Sequence, residues 1–173
     1  MKPSSRTCRS YLALADGNDE AYIWVWADLS GANGEEAQRK TFRLLQRVFE
    51  KCDQLVAVNG SPFLHKYFNL ARHASTGDLS RTIVKVFKAQ FFQNSEKLHL
   101  LQKGSLPDTP PELEHKVKED DQYLVRAYLA ANADLLVTTD NPLMEALSEC
   151  GIRCMNRDTF ISSYLENSPT GWQ

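Results

Sequence analysis

The most constraining feature is an ordered alternation in the last third of the chain. Asp121 to Asn132 carries apolar residues at helical spacing, with Leu124, Ala127, Tyr128 and Ala131 on one face. Asp134-Leu135-Leu136-Val137-Thr138-Thr139 then reads as a buried strand ending at Asp140. Asn141-Pro142 opens a second helix with Leu143, Ala146 and Leu147 inward. Ile152-Arg153-Cys154-Met155 reads as a further strand, and Asp158 to Leu165 as a closing helix. Strand and helix in turn predict an α/β domain built on a mainly parallel sheet with right-handed crossovers.

The upstream chain fits the same plan. Glu35 to Cys52 repeats Ala37, Thr41, Leu44, Leu45, Val48 and Cys52 at three and four, with Glu35 and Glu36 in its first turn where negative charge suits the dipole. Leu55-Val56-Ala57-Val58 reads as a short buried strand, and Ser61-Pro62 as the cap and first position of the next helix. Another helix is predicted from about Ser80 to Phe92. Residues 9–28 read as a β-hairpin: Tyr11–Leu14 is one arm, Asp16-Gly17-Asn18-Asp19 the turn, and the aromatic run Ala21–Ala27 the other arm. The stretch 101–116, broken by Gly104, Pro107, Pro110 and Pro111, reads as a surface loop or a lid.

Composition narrows the function classes. The 173 residues are 42% hydrophobic and carry 20 basic against 22 acidic side chains, net −2. That is one globular domain with a full core, and its field is too weak to hold nucleic acid by overall charge. No apolar run approaches the roughly 18 residues that span a bilayer, and no secretory signal is visible after Met1. Cys8, Cys52, Cys150 and Cys154 form no C-x-x-C pair, so reduced thiols in a cytoplasmic protein are expected.

Ligands of α/β sheets gather at the carboxyl ends of the strands. Asp28, read as ending the first buried strand, and Asp140 fall there, and Asp121 opens the helix feeding the second strand, with Asp120 beside it. Converging carboxylates raise one another's pKa values unless a cation sits among them. Oxygen ligands of this kind suit Mg²⁺ or Mn²⁺, ions that polarise a phosphodiester and activate water. Each acid also suits a humbler place: Asp28 in a turn, Asp120 and Asp121 at a helix start, Asp140 as a helix cap. A basic series, Arg39, Arg43, Arg47 and Lys51 with Lys40 alongside, runs down one helix as phosphate contacts or as a solvated face. Trp24 and Trp26 read as core.

The block from Asp121 through Val137-Thr138-Thr139-Asp140 strongly resembles the C-terminal half of a PIN domain nuclease, and Trp26-Ala27-Asp28-Leu29-Ser30 resembles that family's opening motif. The resemblance covers about residues 21–165 of a single domain, with the Tyr11–Leu14 arm as an extra N-terminal strand or hairpin. It implies a three-layer α/β/α fold and a metal-dependent endoribonuclease. Asp28, Asp121 and Asp140 would be its metal ligands, Asp120 a substitute or outer acid, and Ser30 and Thr138 hydroxyls that orient ligand or phosphate. RNA is the partner implied. A narrower version is a toxin of a toxin–antitoxin pair, with an antitoxin protein as second partner; self-association into a homo-oligomer is left open, and no membrane is involved. One departure stands out. Where the family carries a glutamate on the helix after the second strand, Ser61-Pro62-Phe63-Leu64-His65-Lys66-Tyr67 has no acid. This favours, as the alternative, an impaired PIN-like module that binds RNA or protein. Phosphatase and receiver-domain readings fit poorly, because Asp28-Leu29-Ser30 lacks a second aspartate and Asp120-Asp121 precedes a late helix.

Overall fold

A computed structural model describes residues 8–13, 23–73 and 79–166. Five strands, β1 (Ser10–Ala13), β2 (Gln54–Asn59), β3 (Leu98–Gln102), β4 (Leu135–Thr138) and β5 (Cys154–Asn156), form one sheet in the order β3-β2-β1-β4-β5. Every pairing is parallel. Each parallel pairing requires a crossover that returns the chain to the starting edge, and helices supply it here.

The helices are α1 (Trp24–Leu29), α2 (Glu35–Glu50), α3 (Pro62–His73), α4 (Leu79–Phe87), α5 (Pro111–Glu114), α6 (Gln122–Ala131), α7 (Asn141–Glu149) and α8 (Arg157–Glu166). From β1 the chain steps outward through β2 to β3, then crosses back to β4 and on to β5. Right-handed crossovers in opposite directions put helices on opposite faces of the sheet. The sheet is flanked by helices on both sides, and its middle strands are apolar: Leu55–Val58 and Leu135–Val137 are all buried. α6 ends where Asn132 takes a left-handed φ of 48°, a conformation Asn tolerates. α4 runs on into a π-helical turn, Lys88–Phe92, that carries Phe91 into an aromatic cluster with Phe87 and Phe49.

Three expectations are corrected. The hairpin is replaced by a strand and a helix: Tyr11 lies in the central strand of the sheet, and Trp24–Leu29 is helical. The predicted turn Asp16–Asp19 lies outside the described residues. The run Ile23–Trp26 is buried on every side, so it offers no polar face from which a helical period could be read. Trp24 and Trp26 are core, as expected; their indole N–H groups donate to the Val137 and Phe63 carbonyls. Second, Cys8 and Cys52 are joined by a disulfide, not reduced, while Cys150 and Cys154 are free thiols. The register explains the pairing: Ser10 faces Gln54, so two residues back along both strands Cys8 meets Cys52. Third, 101–116 is no open loop. It begins inside β3, Leu106 and Leu113 are buried, and Arg126 donates to the Leu106 and Pro107 carbonyls. Among the described residues no helix is long and apolar enough to cross a membrane.

Candidate active site at the carboxyl edge

In a parallel sheet ordered β3-β2-β1-β4-β5 the direction of winding reverses between β1 and β4. The crevice outside the carboxyl ends of those strands is where such sheets take ligands. Asp140 stands there, two residues beyond β4. It is the N-cap of α7: its Oδ1 accepts from Leu143 N at 2.9 Å, and its own N–H donates to Thr138 Oγ1 at 3.1 Å. Both readings of Asp140 therefore meet in one residue, a cap whose second carboxylate oxygen takes no part in the capping bond. Thr138 is wholly buried.

Asp121 is the N-cap residue of α6 and only 5% exposed. The far end of α6 delivers the chain to the start of β4, so the helix runs against the strands and its beginning lies over the carboxyl edge. Asp121 and Asp140 are thus on the same edge, while Asp120 is exposed. Burial, together with the Asp121 charge, pushes the Tyr123 phenol well above its ordinary value.

Asp28 is placed otherwise than expected. It sits on α1, not at a strand end, and is 1% exposed. Thr41 Oγ1 donates to its Oδ2 at 2.7 Å; Asn33 Nδ2 and the Arg157 guanidinium donate to its Oδ1 at 2.7 and 3.1 Å. A carboxylate with three donors is a tie between α1, α2 and α8. Arg157 follows β5 directly and also pairs with Asp158. In the sequence, the acid that follows the central strand is Asp16, three residues past Ala13; it lies outside the described residues. Its Asp-Gly setting reads as a turn.

The remaining residues divide. Ser30 donates to the Ala27 carbonyl in its own turn. On α2, Arg39 pairs with Glu35, Lys40 with Glu36 and Arg47 with Glu50, and Lys51 lies over the Tyr164 ring. Arg43 is exposed, with no acid in ion-pair range among the described residues. The α3 position that lacks an acid holds exposed His65 and half-buried Lys66. Ser61 does not cap α3 through its side chain, since its hydroxyl makes no hydrogen bond.

Among the described residues no group of three or more Asp, Glu, His or Cys side chains is gathered closely enough to hold a metal ion. The described acids fit a divalent cation in part: Asp121 and Asp140 are oxygen donors at the right edge, and Asp28 is taken by its three donors. No family model and no curated protein matches this chain.

Proposed function

We propose that this chain is a PIN-like, Mg²⁺- or Mn²⁺-dependent endoribonuclease acting at the carboxyl edge of the sheet. The observation that carries the reading is the presence of buried Asp121 and helix-capping Asp140 at the edge where the winding of an all-parallel sheet reverses. Asp121 and Asp140 would hold the ion, with Asp120 in reserve. When bound, such an ion supplies the charge that activates water and polarises the scissile phosphodiester. The chain's own contribution is positional. α7 fixes Asp140 through the Leu143 N–H, Thr138 fixes its backbone, and Arg157 and Thr41 hold Asp28 as a strut. Arg43, with no acid in ion-pair range among the described residues, is the α2 cation left for a phosphate.

Purified full-length protein is expected to cut single-stranded RNA with Mn²⁺ and to stop on chelation. Asp121→Asn should lower the rate at least 100-fold with the melting temperature near wild type. Asp16→Asn should cost more activity than Asp28→Asn, whose effect should be on folding. Full activity in Asp121→Asn rejects the assignment.

A second reading, an RNA-binding module without cleavage, is favoured by one observation: the Asp28 carboxylate is closed by Arg157. RNA binding with no cleavage in Mg²⁺, Mn²⁺ or Co²⁺ would select it. The toxin version adds an antitoxin protein, and its mark is growth arrest on expression. A cytoplasmic setting belongs to the same proposal. There the exposed Cys8–Cys52 bond meets a reducing thiol pool.

A further inference from the structure

The basic side chains of α2 and of α4 stand in different surroundings. On α2 three of them are matched by Glu35, Glu36 and Glu50. α3 and α4 with its π-helical turn, residues 62–73 and 79–92, contain no Asp or Glu. Arg81, Lys85 and Lys88 recur there at i, i+4 and i+7, a spacing that sets them in one row. Lys85 and Lys88 are exposed and Arg81 is half-buried. Among the described residues none of the three has an acid in ion-pair range. Asp78, just before α4, lies outside the described residues. Like charges one turn apart repel, so the row weakens its own helix.

The second observation is aromatic. Phe92, one turn beyond Lys88, packs on Phe68 of α3 with ring centroids 5.8 Å apart, and Tyr67 holds Phe68 from its own helix at 5.2 Å. Phe68 is pinned by both rings and is still 40% exposed. Arg72 stands one turn beyond it on α3, exposed, again with no acid in range among the described residues.

Arg81 to Lys88 spans seven residues, roughly 10 Å of helix. A stacked strand carries one phosphate about every 3.4 Å, so the row meets about three of them. Single strands are held by this combination, bases stacking on aromatic rings while phosphates meet cations. A ring already fixed by its neighbours loses little freedom when a base stacks on it. Two other occupants fit worse. α4 buries Ile83, Val84 and Phe87, which leaves no apolar helix face to lie in a lipid surface. A second copy related by a two-fold axis would set the same cations against one another.

We propose that the α3–α4 face binds single-stranded RNA, with Phe68 stacking on a base and Arg72, Arg81, Lys85 and Lys88 meeting phosphates. This rests on the ribonuclease reading for its choice of polymer, and it adds a surface that holds the strand by its backbone without reading its sequence.

The test uses the full chain and a fluorescent oligouridine decamer, with Ca²⁺ replacing Mn²⁺ to slow turnover. Binding is followed against salt, and melting temperature is measured on the same samples. Lys85→Gln combined with Lys88→Gln is expected to weaken binding about 10-fold at low salt and to lower the salt slope by roughly 1.4, at ~0.7 per phosphate contact. Its melting temperature should equal or exceed that of wild type, because repulsion is relieved. Phe68→Leu keeps an apolar side chain against Tyr67 and Phe92. It should bind about 5- to 50-fold more weakly at an unchanged salt slope. An unchanged slope in the double variant overturns the proposal, and so does wild-type affinity in Phe68→Leu. Capture on anionic phospholipid vesicles that is lost in these variants, while their RNA binding stays, assigns the face to a membrane and overturns it too. Wild-type protein that neither binds nor cuts RNA removes the ribonuclease reading itself, an outcome distinct from RNA binding that ignores this face.

Discussion

The two edges of the sheet are built on opposite terms. At the amino edge polar groups are paired across elements. Asp53, 6% exposed, accepts from Arg9 N at 2.9 Å and from the Tyr164 hydroxyl at 2.6 Å, joining β1, β2 and α8. Asp134 accepts from Ser10 N at 2.7 Å. Buried Lys97 donates to the Val48 and Lys51 carbonyls and so closes the C-terminus of α2 with a positive charge. Cys8–Cys52 ties the start of the central strand to β2. At the carboxyl edge stand the acids Asp121 and Asp140 and, among the described residues, three buried hydroxyls with no hydrogen-bond partner, those of Ser61, Tyr123 and Thr139. The hydrogen bonds that tie one strand start to another gather at the amino edge, whereas at the carboxyl edge paired acids stand beside hydroxyls that have no partner among the described residues.

One carboxyl-edge residue, Asp28, behaves like the amino edge, and it offers the largest way to break the contrast. Asp28→Ala removes the buried acceptor shared by Thr41, Asn33 and Arg157, although Arg157 keeps its pair with Asp158. Removing one partner of a buried ion pair costs about 3–5 kcal/mol, read as a lower denaturation midpoint. A loss under 1 kcal/mol would show that Asp28 is not a strut.

Next comes the disulfide. Cys52→Ser, or reduction, opens a loop spanning 44 residues and should cost about 2–4 kcal/mol. An unchanged midpoint in reducing buffer would show that the paired Asp53 and Asp134 contacts hold β1 unaided.

Alkaline pH addresses the same edge. Burial, with the Asp53 charge second, pushes the Tyr11 phenol from 10.0 up to about 12. A raised phenol favours the neutral form in the folded state. Its contribution is complete below pH 10 and is lost as pH rises toward 12. The loss is on the order of 2 kcal/mol; Tyr164 is shifted the same way, by burial and then by its hydrogen bond to Asp53. Denaturation midpoints across pH 9 to 12 should fall for wild type and fall less for Tyr11→Phe.

The smallest effect concerns α2. Arg43→Glu should weaken RNA binding only a few-fold and lower the salt slope by about one, whereas Arg39→Glu, whose partner is Glu35 in the wild type, should do less.

How much of this was legible depended on what surrounds each segment. α6, β4, α7 and α8 were read closely because each helix keeps a wet face and each strand is bounded by turn residues. α2 was read for the same reason, from Glu35 onward. α1 was misread because Ile23, Trp24, Val25 and Trp26 are all buried, and a run of aromatic and β-branched residues then looks like a strand. That error moved Asp28 to a strand end it does not occupy and turned the central strand into an extra arm. β3 was missed because an edge strand with His99 and Gln102 shows little apolar pattern. Cys8–Cys52 was hidden because only the parallel register brings the two residues opposite each other. The unpaired hydroxyls of Ser61, Tyr123 and Thr139 had no sequence signal; a hydroxyl's partner is visible only in three dimensions.

Asp140→Asn tests the central claim most directly, because asparagine keeps the α7 cap while removing the charge. Cleavage of a single-stranded RNA in Mn²⁺ and thermal melting are measured on the same sample. An active carboxyl edge requires loss of cleavage with melting unchanged. Wild-type cleavage in that variant, or a loss that only follows unfolding, contradicts it.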